Sequence, residues 1–182
     1  MLRLMPEHGV QTTVLVNNGT IKAENGSLER LKKIGSIADT VVRTGPVPWS
    51  LEERWLNDKL NGHHYFGPEM AEVWRNGIVA DIRRTLGTAK FSASIDFDGY
   101  GPYMTNFQSC IDTDHRVLFM HNNIGEEMRS RFPHLQRSFP AYPRFTSLAT
   151  VSQEVRDRNL ESFSSLVPDA AERFSVIRNT IP

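Results

Sequence analysis

The feature that most constrains this chain is a regular alternation of β-rich and helical segments along most of its length. "VQTTVLVN" (10–17) is rich in β-branched residues and predicts a strand. "SLERLKKIG" (27–35) predicts a short helix, with Ser27 as N-cap and Gly35 at its stop. "DTVVRT" (39–44) predicts a second strand. From Trp49 to Leu60 the spacing is helical, with apolar Leu51, Trp55 and Leu56 opposite charged residues. A longer helix is predicted from Pro68 to Leu86, opened by a proline suited to a first turn and closed by Gly87. Strands at 91–97, 116–121, 145–152 and 173–179 then alternate with helices at 103–111, 126–132 and 153–163, the last capped by Ser152. Strands separated by helices imply βαβ crossovers. The expected fold is therefore an α/β, Rossmann-like domain with a mainly parallel sheet and helices on both faces.

The two ends of the chain are abrupt for such a domain. "MLRLMPEHGVQTTVLV" reads as the last turn of an amphipathic helix, a glycine-containing turn and a strand, and the chain stops three residues after Asn179. Residues 1–182 are expected to be a single Rossmann-like domain lacking its first strand, part of a longer protein. Composition narrows the function classes. Lys plus Arg and Asp plus Glu are 21 each, so no net field holds nucleic acid or an anionic membrane; clusters such as Arg83-Arg84 are small. The one cysteine, Cys110, excludes an internal disulfide framework and a cysteine-based zinc site. No stretch approaches a transmembrane helix and no secretory signal opens the chain, which predicts a cytoplasmic protein.

In a parallel sheet, ligands sit beyond the carboxyl ends of strands, at a switch in strand order. Four expected strand ends carry polar or glycine-rich residues: Asn17-Asn18-Gly19, Asp96 to Gly101, His121-Asn122-Asn123, and Ser152-Gln153. If they share one sheet, they converge on one edge. Each also has a structural reading: Asn-Asn-Gly is turn chemistry, Ser152 a helix cap, and a lone strand-end histidine a satisfied polar residue. An imidazole there can hydrogen-bond a ligand or, protonated, favour an anion. Asn122 and Asn123 can bond a ligand or cap the next helix. Tyr100 and Tyr103 offer apolar faces with polar tips, or core packing, while Met104, Phe107 and Phe132 read as core.

Other motifs fail. Asp96-x-Asp98 matches the two-residue motif by which GT-A transferases hold a divalent cation, but Asp96 is equally readable as buried and hydrogen-bonded. His63-His64 has metal-ligand residue types, yet adjacent histidines point apart and no third ligand lies at a helical offset. The P-loop, Gly-x-Gly-x-x-Gly and Gly-x-Ser-x-Gly patterns are all lacking.

The second half is more specific. "IDFDGYGPYMTNF", "VLFMHNNIGEEMRSRFPHLQRSFPAYPRFTSLATVSQEVRDRN" and "RFSVIRNTI" together resemble the amino-terminal domain of GT-B glycosyltransferases. They look closest to the bacterial enzymes that build or glycosylate polyol-phosphate wall polymers of the teichoic acid kind. The resemblance covers residues 90–182; residues 1–89 agree only in element order. It implies a retaining enzyme that moves a sugar from a nucleotide-sugar donor to a glycan or polyol-phosphate acceptor. The donor nucleotide would be held mainly by a following second domain, with no further cofactor, no nucleic acid, and peripheral contact with the inner face of the membrane compatible with the parent protein. By the same resemblance, His121 matches a strand-end histidine near the donor sugar and is the expected catalytic residue. Asp98, Gly99 and Tyr100 match the loop lining the acceptor side and Ser152 the Val-Ser strand end; with Asn122 these are the expected substrate-binding positions, while Asn179 matches the hinge. A chain ending at 182 is expected to be inactive alone. The competing expectation is a non-catalytic Rossmann-like domain that binds a sugar phosphate or a protein partner.

Overall fold

The structure, a computed structural model, describes residues 6–21, 26–62 and 68–178. Its elements are β1 (Thr13–Asn17), α1 (Ser27–Gly35), β2 (Thr40–Thr44), α2 (Leu51–Gly62), α3 (Pro68–Leu86), β3 (Phe91–Asp96), α4 (Pro102–Cys110), β4 (Thr113–Met120), α5 (Ile124–Ser130), β5 (Ser147–Thr150), α6 (Gln153–Phe163), α7 (Ala170–Arg173) and β6 (Phe174–Val176). The expected α/β class holds: every strand pair is parallel, and helices flank the sheets. His63, His64 and Asn179 lie outside the described residues. Among those described, no helix is long and apolar enough to cross a membrane.

The chain divides into two compact units, Met1–Pro48 with Ala80–Thr88, and Trp49–Val79 with Ala89–Pro182. The first holds a two-stranded sheet, β1 beside β2, in register from Thr13↔Thr40 to Asn17↔Thr44. β1 is half-buried along its whole length, as a two-stranded sheet permits. At its end the Asn17 side chain accepts from Gly19 N–H at 2.9 Å, a local turn bond that fits Asn-Asn-Gly. After β2, the Gly45 N–H donates to the buried Asp81 carboxylate at 2.8 Å, which also pairs with Arg84. Arg84 is thus spent on a local pair rather than on a basic patch with exposed Arg83.

The second unit holds a four-stranded sheet in the sequential order β3-β4-β5-β6. Its core gathers Leu118 and Met120 of β4, Leu148 of β5, Phe174 of β6 and, from the connections, Ile124, Leu135, Tyr142, Phe145, Phe163 and Val167. Three consecutive buried residues in β4, Leu118 to Met120, are what a strand covered on both faces needs. Residues 133–144 form a long 3₁₀ run instead of an α-helix, because Pro140 and Pro143 bring no N–H to an α ladder.

Several local expectations are corrected. Gly26, at φ 69°, takes the N-cap position of α1, so Ser27 is its first helical residue. Helix α2 begins at Leu51, where Ser50 and Glu53 form a reciprocal cap: Glu53 N–H donates to Ser50 Oγ at 3.1 Å and Ser50 N–H to Glu53 Oε2 at 2.8 Å. Its expected apolar face is not buried. Leu51 is 87% exposed and Trp55 61%, with the Lys59 ammonium 4.6 Å from the Trp55 ring centroid. Phe107 is core as expected, whereas Phe132 is 37% exposed and Met104 half-buried. The six strands do not form one sheet, so Asn17-Asn18-Gly19 ends a strand of the other unit, and only three polar strand ends share an edge. The order of those strands does not reverse, so no switch point lies within the four-stranded sheet.

Candidate functional site

The three shared strand ends meet through register. Asp96 pairs with Leu118, and Met120 with Thr150, so β4 runs two residues beyond β3 before it reaches His121. The loop 97–101 folds back over that overhang. Gly99 makes the fold possible: its φ is 69°, and a Cβ built there would lie 2.6 Å from the Phe119 carbonyl oxygen.

Asp96 builds the turn. Its Oδ1 accepts from the N–H groups of Asp98 (3.3 Å) and Gly99 (3.1 Å), and its Oδ2 from the Thr105 hydroxyl (2.6 Å). Asp96 is buried while Asp98 is exposed, so the two carboxylates do not present one face to a cation. Burial pushes the Asp96 carboxyl above the ordinary aspartate value, against the pull of its hydrogen bonds. A folded-state value above the unfolded one means that the folded chain holds the proton more tightly. Asp96 therefore supports folding most at pH below its unfolded value of 3.8, and that support is lost as pH rises through the raised folded value. Urea unfolding across this window should show the stability difference moving in favour of Asp96→Asn as pH rises. A difference that stays flat with pH would remove burial as the controlling cause.

His121 follows β4 directly. Its Nε2 lies 2.6 Å from the Phe97 carbonyl oxygen, and because a carbonyl only accepts, Nε2 carries the proton. Nδ1 is then the ring nitrogen open to a ligand. The imidazole stacks on Phe119 (centroids 6.0 Å apart, 23° between planes) and meets Phe97 edge-on at 5.3 Å. Phe97 is 51% exposed, so this aromatic group borders solvent.

Asn122 is exposed and donates from Nδ2 to the Tyr100 hydroxyl at 2.8 Å; Tyr100 in turn donates to Glu127 Oε2 at 2.9 Å. Partial burial raises the Tyr100 phenol, with the Glu127 carboxylate adding to the rise and the Asn122 bond opposing it. The proton thus stays on Tyr100, and the chain of bonds runs in one direction, from amide to phenol to carboxylate. Tyr100 also packs edge-on against Phe132, with centroids 5.9 Å apart. Beneath it, burial, helped by nearby Asp96 and Tyr100, pushes the Tyr142 phenol far up; its hydroxyl has no hydrogen-bond partner among the described residues.

Two neighbours hold the loop rigid. Asn123 caps α5, accepting from Glu126 N–H at 3.2 Å. Buried Asn159 on α6 accepts from Ile124 N–H at 2.9 Å and donates to the Asn122 carbonyl at 2.8 Å. Asn159→Ala leaves both backbone groups without that partner, and the buried Ile124 N–H has no ready replacement. The expected loss in unfolding free energy is about 2–3 kcal/mol, read by thermal or urea unfolding; a loss below about 0.5 kcal/mol would mean that water replaces the amide.

The structure thus brings Asp98, Gly99, Tyr100, His121 and Asn122 to one edge. Ser152, at the end of neighbouring β5, uses its hydroxyl to cap α6, accepting from Val155 N–H at 3.2 Å. Glu127 and Asn159 escaped sequence reasoning, since their bonds to Tyr100 and Asn122 span 27 and 37 residues. The edge presents an amide, an imidazole nitrogen and a carboxylate beside aromatic surface, which suits a ligand rich in hydroxyl groups. No protein-family model matches the chain, and no curated protein matches its sequence.

Proposed function

We propose that this chain is the acceptor-side domain of a retaining GT-B glycosyltransferase that moves a sugar from a nucleotide sugar to a glycan or polyol-phosphate acceptor. The observation that supports the reading is the joint placement of His121, Asn122 and the Asp98-Gly99-Tyr100 loop at the carboxyl edge of a parallel sheet. These are the positions carried by the resemblance over residues 90–182. In this reading His121 Nδ1 and the Asn122 amide bond hydroxyls near the reacting centre, and the 98–100 loop lines the acceptor. The nucleotide is gripped by a second domain, and the chain by itself transfers no sugar, since orienting donor against acceptor takes groups from both sides of a cleft.

Acceptor binding is testable on this chain. Titrating a short glycerol-phosphate oligomer into ¹⁵N-labelled protein should shift the backbone amides of residues 97–101 and 121–123. Shifts confined to other regions, or none at millimolar oligomer, would overturn the assignment of this edge as the acceptor side. One observation favours a second, non-catalytic reading: His121, Asn122 and Tyr100 are already tied to one another's loops by hydrogen bonds. A domain that merely binds a sugar phosphate would show the same shifts but would have no transfer activity for a His121 substitution to reduce.

A further inference from the structure

The described surface of the second unit contains a cavity of about 770 Å³ away from that edge. Two of its walls can be placed by topology. Cys110 ends α4 just before β4 begins, and Asp112 O accepts from the N–H of Phe91, the first residue of β3. Arg144 ends the 3₁₀ run three residues before β5 begins. Both therefore lie at the amino edge of the sheet, the end opposite His121. Arg144 Nη1 donates to Cys110 Sγ at 3.4 Å, which joins the two walls. Arg75 and Glu72 line the cavity from α3, and Phe139 contributes an aromatic surface.

We propose that this cavity is a second binding site, for a small organic phosphate. Its size falls within the range of about 300–1,000 Å³ typical of small-molecule pockets. Two guanidiniums stand against one carboxylate. Among the described residues, neither Arg75 nor Arg144 makes an ion pair. A guanidinium presents paired N–H donors that match two phosphate oxygens, a geometry an ammonium lacks. Phe139, half-buried against Tyr142 and Phe163, and Leu166 give apolar lining for the organic part, and Glu72, one turn before Arg75, can accept from a hydroxyl. The site is independent of the glycosyltransferase reading, since it uses none of the residues at the carboxyl edge.

Cys110 supplies the readout, because it is the one thiol in the chain and stands on the cavity wall. Alkylation of the native protein by uncharged iodoacetamide would be followed by intact mass. Glucose 1-phosphate at millimolar concentration should slow modification strongly, while glucose should leave it unchanged. Arg75→Gln should raise the half-protecting concentration about tenfold, the loss of one charge-assisted contact. Arg75 is exposed and stands on α3 while Cys110 ends α4, so this variant should keep its melting temperature and its unprotected alkylation rate. Failure of glucose 1-phosphate to protect, or protection that survives Arg75→Gln unchanged, would overturn the site. Equal protection by inorganic phosphate would overturn the organic part of the ligand, since the aromatic wall would then add nothing.

Discussion

Gly99→Ala should destabilise the second unit by about 2–4 kcal/mol, more than any other single methyl added to this edge. Two costs combine. The residue sits at φ 69°, where an L side chain costs roughly 1–2 kcal/mol. The new Cβ would also lie 2.6 Å from the Phe119 carbonyl oxygen, an atom fixed in β4, where Phe119 pairs with Ala149 of β5. A flexible side chain could turn aside, but a ladder carbonyl cannot move without disturbing the pairing. Asp169, at φ 52° in the same unit, shows that the left-handed conformation alone is borne by a side chain here. The excess over the conformational cost therefore measures the close approach of the loop to β4. Urea unfolding of wild type and variant provides the number, and a loss of only about 1 kcal/mol would mean that the loop absorbs the contact without strain. The same substitution should scatter the amide shifts of Asp98 and Tyr100, since both depend on the turn that Gly99 permits.

What was legible in the sequence follows from the range of the interactions involved. β4 announced itself because Leu118, Phe119 and Met120 are consecutive and apolar, and α3 because Pro68 and Gly87 mark its two ends within one periodic stretch. The cap of α6 by Ser152 is equally local, three residues from donor to acceptor. The partition into two sheets was not legible. β1 and β3 look alike as β-rich runs, and nothing within either says which partner strand it takes. The face of α2 misled for a related reason: Leu51 and Trp55 have the spacing of a buried stripe, but burial depends on a neighbour that periodicity does not name. At the site, the residue types were readable and the bonds were not. The link from Asn122 through Tyr100 to Glu127, and the Asn159 bridge to the same loop, join segments that meet only after the sheet has formed. For His121 the sequence left open a satisfied polar residue and a ligand-binding imidazole, and it could not name Phe97, 24 residues away, as the carbonyl that takes Nε2 and leaves Nδ1 for chemistry.

That commitment makes His121 separable into two functions by substitution. In a glycosyltransferase containing this domain, His121→Ala should lower kcat/KM by about 10²–10³-fold, the effect of removing one preorganised polar contact to the transition state. It should also cost roughly 1–2 kcal/mol of stability, because the bond to the Phe97 carbonyl and the packing on Phe119 and Phe97 disappear together. His121→Gln divides these losses. Its amide N–H can still donate to Phe97, so the melting temperature should recover much of the way toward wild type. It has no ring nitrogen at the Nδ1 position, so turnover should stay low. Both variants need thermal unfolding and steady-state kinetics on the same preparation, with the donor sugar held saturating to expose any change in kcat. If His121→Gln regains activity in step with its melting temperature, the imidazole serves only to hold the 97–101 loop, and His121 is not a catalytic residue. If stability returns and turnover does not, the open nitrogen of His121 acts on the substrate directly.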